Sequence, residues 1–320
     1  MCRLRKLVTL ISVFVVVIFA ASGCSPDKPE FSSVGTNGTT CANVTMGNGR
    51  FAYRDGFLYM ADLNGIYEYD MQTGKGVYLS REMPGFSNGL IVTENHIGYS
   101  DNGLKIMSKD GKASETVFEK NDGCLYLYID GEEMFYLDAK QSLNRKDLAK
   151  NDFGACILED VLTYHVTEEY IYAAIVDGEK YSAVYSKRAP IEFREIKLSI
   201  EPIVVLSEGE NLFFSEASTY QITHYVNGNE RKLPIHSLYY QILDGHLIYT
   251  DENTFEDNTF SVKAYNLESG DELVLCDSVF DFCILDNRYV AFWVWEEQGQ
   301  HWAYYDWQTK EMKQIFPTES

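Results

Sequence analysis

Apolar and polar positions in this chain recur on two scales. On the short scale, runs of four to eight residues rich in Tyr, Phe, Ile and Val alternate with polar turns, the pattern of β-strands that are half or wholly buried. On the long scale the same unit returns. The runs FLYMAD (57–62), HIGYSD (96–101), EMFYLD (133–138), YIYAAIVDG (170–178), LFFSEA (212–217), LIYTDE (247–252) and RYVAFWVW (288–295) each follow a polar turn. The turns are Asp55-Gly56, Glu94-Asn95, Asp130-Gly131, Glu168-Glu169, Glu208-Gly209, Asp244-Gly245 and Asp286-Asn287, spaced 39, 36, 38, 40, 36 and 42 residues apart. Asp-Gly and Asn turns between such runs are hairpin signals. Several units add a third strand with a polar turn, as in GIYEYDMQTGK, SVKAYNLESGDE and HWAYYDWQTKE, and a fourth short strand, as in VYLS and ELVLCD.

Four strands per roughly 40 residues, evenly repeated, is the arithmetic of a propeller blade. The chain is therefore expected to be all-β, a seven-bladed β-propeller of four-stranded blades over residues 48–320, with six or eight blades as the near alternatives. A β-sandwich fits less well, because it has closely spaced turns but no longer period. Helical periodicity does not persist after residue 50, which excludes α-solenoids. In RYVAFWVW, Tyr289, Ala291, Trp293 and Trp295 alternate with Val290, Phe292 and Val294, so both faces are apolar and the strand is expected to be covered on both sides, Trp295 included.

The N-terminus has a different pattern. Arg3, Arg5 and Lys6 precede an apolar run over residues 7–20, the n-region and h-region of a secretory signal. The run is shorter than the roughly 20 residues a membrane span requires. It ends at Ala21-Ser22-Gly23-Cys24, which resembles the lipobox of bacterial lipoproteins with Ala21 in place of the commoner Leu. The resemblance implies cleavage before Cys24, acylation of that residue, with palmitate among its acyl groups, and anchoring to the outer leaflet of the cytoplasmic membrane. Residues 1–23 are then signal peptide. Residues 24–47, rich in Ser, Thr, Asn, Gly and Pro, read as a lipidated flexible tether.

Cleavage removes three basic residues and no acid, leaving 24 Lys and Arg against 48 Asp and Glu, net -24. Such a surface repels phosphate backbones and anionic headgroups, so nucleic acid is not an expected partner and the lipid anchor alone is expected to hold the membrane.

Ile248-Tyr249-Thr250-Asp251, Gly98-Tyr99-Ser100-Asp101 and Phe135-Tyr136-Leu137-Asp138 resemble degenerate forms of the Tyr-Trp-Thr-Asp repeat of lipoprotein-receptor propellers. The opening Asn48-Gly49-Arg50-Phe51-Ala52-Tyr53 is similar to the start of a propeller domain of unknown function found behind lipoboxes in Gram-positive, clostridia-like bacteria. The first unit spaces Tyr59 and Asp62 one residue further apart, and the fourth, fifth and seventh lack the Tyr-x-Asp pair. The resemblance implies a propeller fold and an envelope location, and no activity.

Candidate chemistry is sparse. Beyond Cys2 and Cys24 the cysteines are Cys41, Cys124, Cys156, Cys276 and Cys283, with no C-x-x-C. Buried free thiols are expected, with Cys276 and Cys283 the one pair considered for a disulfide. The histidines His96, His165, His224, His236, His246 and His301 stand singly, without a zinc-type spacing, and no nucleophile elbow, phosphate loop or dinucleotide fingerprint occurs. Carboxylates are so numerous that a glycosidase-like pair carries no information. The densest acidic stretch, residues 251–258, makes Asp251, Glu252, Glu256 and Asp257 the candidate calcium ligands, an exposed acidic loop being the other reading since the EF-hand glycine and spacing are missing. No other cofactor is expected. All four tryptophans lie in the last unit, and Trp302 and Trp307 are the candidates for partner contact. The expected function is an anchored, extracytoplasmic, monomeric module that binds or scaffolds an envelope or extracellular protein or glycan. The alternative is a surface glycoside hydrolase or polysaccharide lyase with carboxylates near the central channel.

Overall fold

The structure is a computed structural model of the 320-residue chain and describes Phe31 and residues 37–62, 64–81, 89–101, 103–119, 123–150, 154–256, 258–296 and 299–317. The segment expected to be a signal peptide, Cys24, most of residues 24–36 and Asp257 lie outside those residues.

Among the described residues a short helix, α1 (Cys41–Met46), precedes 27 strands in six antiparallel sheets. The first sheet is β1 (Phe51–Arg54), β2 (Phe57–Asp62), β3 (Gly65–Asp70) and β4 (Lys75–Ser80). The second is β5 (Ile91–Val92), β6 (His96–Ser100), β7 (Gly103–Ser108) and β8 (Ser114–Glu119), and the third β9 (Leu125–Asp130), β10 (Glu133–Leu137), β11 (Leu143–Asp147) and β12 (Ala155–Leu158). The fourth is β13 (Val161–Val166), β14 (Tyr170–Asp177), β15 (Lys180–Lys187) and β16 (Arg194–Ile196), and the fifth β17 (Pro202–Glu208), β18 (Asn211–Glu216), β19 (Gln221–Val226) and β20 (Asn229–His236). The last sheet has seven strands, β21 (Tyr240–Leu243), β22 (His246–Glu256), β23 (Thr259–Asn266), β24 (Glu272–Leu285), β25 (Tyr289–Glu296), β26 (Gly299–Asp306) and β27 (Glu311–Ile315).

Within each sheet every strand pairs with its sequence neighbour, so the sheets are meanders built by local hairpins. All seven expected turns fall between the first two strands of a repeat. At Asp55-Gly56, Asp244-Gly245 and Asp286-Asn287 both residues have positive φ, 53° and 88°, 48° and 71°, and 53° and 47°. That is the backbone of a type I′ turn, whose twist matches the strands it joins, and Gly, Asn and Asp tolerate it best.

The seven-stranded sheet arises because β24 serves two groups of strands. Its N-terminal part pairs with β23 through Tyr265 and Glu272, and its C-terminal part pairs with β25 through Leu285 and Tyr289. Successive sheets pack face to face, each interface having its own core, such as Ala52, Tyr59 and Ile66 of the first sheet on Leu90, Ile97 and Tyr99 at the second. The last sheet closes on the first: Cys283, Ala291, Trp302 and Tyr304 pack with Phe51, Leu58 and Tyr67. Sheets that each bury two faces and close on one another remove open edges and exposed apolar faces together.

The axis of this ring is filled by the chain itself. The Asn37 carbonyl accepts from Val92 N–H in β5, and the Gly38 carbonyl from Tyr53 N–H in β1. The Asn37 amide donates to the Ile129 carbonyl in β9, and Val166 N–H in β13 donates to the Cys41 thiol. The Asn43 side chain, fully buried, donates to the Ile284 carbonyl at 2.7 Å and accepts from its N–H at 2.9 Å, as a paired strand would. Ala42 and Met46 share a core with Val204 and Leu206 of β17 and Tyr240 of β21. One short segment thus meets the first strand of every repeat.

Residues 37–47 are therefore not the flexible tether that their composition suggests. All six α1 residues are buried, Asn43 and Thr45 included, because those polar side chains bond to backbone carbonyls. The approach is close: a Cβ at Gly47 would lie 2.3 Å from the Phe282 carbonyl oxygen, and one at Gly89 would lie 1.9 Å from that of Leu127.

Two further expectations are corrected. Cys276 and Cys283 are free and occupy one continuous strand. Their seven-residue separation is roughly 20 Å of extended chain, whereas a disulfide needs Cα atoms within about 7 Å. Trp295 is 51% exposed although its alternation is that of core, while Trp293 is buried. The last β24 partner of β25 is Val279 opposite Val294, so Trp295 extends past the sheet and pairs only with Gln300.

Candidate functional site

A cavity of about 810 Å³ lies between the fourth and fifth sheets. Its wall on the fourth sheet follows from strand periodicity. Tyr170 and Tyr172 are two residues apart on β14 and share a face, and Tyr185 of β15 is the cross-strand partner of Tyr172. The three rings form a triangle with centroid separations of 6.0, 6.3 and 6.4 Å. From the fifth sheet come Leu212 on β18 and its cross-strand partner Tyr225 on β19, whose ring meets Phe214 edge-on. Ile196 is buried in the same interface. Burial pushes the Tyr172 phenol above its ordinary range, against the opposing effect of a hydrogen bond with Ser207.

Charged groups contribute the rest of the lining: Glu168, Glu169, Glu195 and Glu210 against Lys197. Glu195 is paired with Lys180 at 3.1 Å, both exposed. Glu168, Glu169 and Glu210 make no ion pair among the described residues.

The turn carrying Glu168 and Glu169 is fixed from both ends. The Thr167 hydroxyl accepts from Tyr170 N–H and donates to the Tyr170 carbonyl, and Arg188 N–H donates to the Glu169 carbonyl. The Arg188 guanidinium bonds the Thr167 carbonyl and forms ion pairs with Asp130 and Glu133, while Arg145 pairs with Glu133 and bonds the Arg188 carbonyl. These two arginines thus brace the cavity wall with their own charge already compensated.

His165, the cross-strand partner of Tyr172, lies one strand behind it on the same face. It is buried, its Nδ1 has no hydrogen-bond partner among the described residues, and desolvation pushes its pKa down to about 4, so the ring is neutral at physiological pH.

The sequence candidates lie elsewhere. Cys24 is outside the described residues. Trp302 and Trp307 are 2% and 7% exposed and are packing residues, not a contact surface. Trp302 closes the ring against Tyr67 at 5.2 Å, and the Trp307 indole N–H donates to Asp244 at 3.2 Å across the last sheet. Of the calcium candidates, Asp251 binds Lys263 at 2.6 Å and the Asn253 N–H, while Glu252 accepts from Leu238 N–H. Asp257 and the Glu256 side chain lie outside the described residues, among which no group of three His, Cys, Asp or Glu converges. His224 stacks on Phe213, His301 on Phe316, and His246 meets Trp307 edge-on.

A second buried polar cluster sits where β24 meets the segment preceding β1. Burial pushes the Asp281 carboxyl up to about 8, although Arg50 Nε at 3.6 Å and the Asn48 amide at 3.5 Å pull it down. Arg50 also lies 4.6 Å over the Trp293 ring. Between about pH 4 and 8 the native protein keeps a proton that the unfolded chain has released, so stability falls as pH rises through this window, by at most about 1.4 kcal/mol per unit. Thermal midpoints at pH 5 and 8.5 are expected to converge in Asp281→Asn relative to wild type. An unchanged pH dependence would remove Asp281 as its source.

No protein-family model and no curated protein matches the chain. Solved structures do. An oligogalacturonate lyase in complex with manganese has a TM-score of 0.58 at 10% identity, over 91% of this chain and 89% of its own. A Mycobacterium tuberculosis puromycin-hydrolyzing peptidase has a TM-score of 0.59 at 11% identity, over 89% of this chain, which spans only 56% of the peptidase. TolB from Acinetobacter baumannii has a TM-score of 0.49 at 12% identity, over 82% and 78%. At such identities the likeness defines the fold alone, and the fold is a β-propeller.

Proposed function

We propose that this protein is an extracytoplasmic lipoprotein, anchored through Cys24, whose seven-bladed propeller is a monomeric binding module for an envelope or extracellular partner. The count of seven takes the last sheet as two blades that share β24, which accounts for seven cores between blades, one within that sheet and one closing on the first. The anchor rests on the charged n-region, the short h-region and the Ala21-Ser22-Gly23-Cys24 tetrapeptide.

The observation that carries the binding reading is the tyrosine-walled cavity. A concave, largely aromatic pocket with a few polar groups is the usual form of a ligand site. No Ser, Cys or His is among its lining residues, and the nearby Arg145 and Arg188 are held in ion pairs. The hydrolase or lyase reading called for carboxylates near the central channel, and α1 lies on that axis.

Anchoring is tested by metabolic labelling. Labelled palmitate is expected in wild type and not in Cys24→Ser; equal labelling would end the lipoprotein assignment. Binding is tested by retention of a defined envelope component on the purified protein, with no product released from polysaccharide, peptide or phosphoester panels. Turnover abolished by one carboxylate substitution would promote the enzymatic reading.

A further inference from the structure

We propose that the cavity between the fourth and fifth sheets binds an organic cation, an ammonium or guanidinium group carried on a larger molecule, with the tyrosine rings as its walls and the glutamates as its counter-charge. The proposal rests on the binding reading and names the chemistry of its ligand.

Two features converge. The first is the aromatic wall. Tyr170, Tyr172 and Tyr185 lie within 6.4 Å of one another, with Tyr225 opposite them in the lining. Tyrosine faces carry negative quadrupole density and attract a cation within about 6 Å, most strongly where water is excluded. The second is the sign of the charge. Four carboxylates face one ammonium in the lining, and among the described residues only Glu195 is compensated by an ion pair, with Lys180. An anionic ligand would enter against this field, whereas a cation is drawn in, helped by a whole-chain charge of -21.

Size sets the rest of the ligand. At about 810 Å³ the cavity exceeds what one ammonium head fills, so the cation arrives on a body with apolar surface of its own, either a free polyamine or the basic side chains of a protein. Both present the same group to the same wall. Rigidity helps. The Thr167–Glu169 turn is locked by Thr167 and Arg188, so the backbone that carries Glu168, Glu169 and Tyr170 is in place before the ligand arrives.

The test is calorimetry on the full chain in detergent micelles. The probes are choline, its uncharged carbon isostere 3,3-dimethylbutan-1-ol, spermidine, and a hexapeptide of alternating Lys and Gly. At least one cationic probe is expected to bind, with choline at least tenfold tighter than its isostere and with affinity falling as salt rises from 50 to 500 mM. The double change Tyr170→Ala with Tyr185→Ala, and separately Glu210→Gln, are each expected to weaken binding five- to tenfold. Trp295→Ala, outside the cavity, is expected to leave it unchanged. Variants are compared only after their melting curves match wild type within a few degrees, and Glu210→Gln, a surface isostere, covers the case in which the double change does not fold.

Binding of spermidine without the peptide assigns a free polyamine as the source, and binding of the peptide assigns basic side chains of a partner. Equal affinity for choline and its isostere, no binding of any cation at millimolar concentration, or binding indifferent to both sets of substitutions overturns the proposal. Retention of an envelope component that survives these substitutions would leave the binding module standing and the cation site refuted.

Discussion

Truncation after Asp277 is expected to yield an insoluble or non-cooperative product, the largest effect of any single change considered. The cut falls inside β24, removing the Phe260–Val279 pair with β23 and all of its pairing with β25. It removes Cys283, Ala291, Trp302 and Tyr304, which cover Phe51, Leu58, Met60 and Tyr67 of the first sheet. It also removes Ile284, the backbone partner of Asn43. Two apolar sheet faces are then open to water, far beyond what a soluble monomer exposes. Soluble fraction, size-exclusion profile and a melting curve measure the outcome. A monomeric fragment of residues 1–277 with a sharp thermal transition would mean that the ring does not depend on closure.

Asn43→Ala is expected to lower stability by about 3 kcal/mol, since it strips two buried hydrogen bonds from Ile284 and strands its carbonyl, each orphaned group costing about 1–3 kcal/mol. The Ile284 N–H retains a longer contact of 3.3 Å with the Gln241 side chain, which keeps the loss from being larger. For a domain of this size the midpoint should fall by roughly 6–12 °C. Asn43→Leu should be worse, because the added apolar volume meets a backbone rather than a pocket. Deleting residues 37–47 should abolish the cooperative transition. A midpoint for Asn43→Ala within about 2 °C of wild type would mean that α1 is an appendage of the ring and not its axis.

The repeat was legible because its signals are local. Asp55-Gly56, Asp244-Gly245 and Asp286-Asn287 announce a positive-φ turn in two residues, and the strands that flank them show their own period. The axis was not legible, for the opposite reason. Asn43 and Thr45 look like solvent-facing tether, and a six-residue helix is shorter than any window in which helical periodicity can be counted. Their burial is decided by an inner strand 241 residues away. The tryptophans show a related limit. Alternation tells which face a side chain takes, but not how far one strand outruns its neighbour, so Trp295 emerged and Trp302 was enclosed.

The cavity was half legible. Tyr170 and Tyr172 are visible as a Tyr-x-Tyr pair directly after Glu168-Glu169, and that adjacency of acids and alternating aromatics was a usable signal. The contribution of Glu210 and Tyr225 depends on how the fifth sheet is set against the fourth, which no local pattern encodes.

The pairing of Asn43 with Ile284 also orders events in time. A ribosome produces Asn43 of α1 241 residues before its partner Ile284, so throughout that interval the segment that holds the strands together has nothing complete to hold. The hairpins can form one by one as they emerge, because their contacts are local and close quickly. The native ring must wait for the far end of the chain, and the barrier it then crosses includes the entropy of bringing together two points 241 residues apart. A polypeptide built this way stays uncommitted until the inner strand that carries Ile284 has emerged.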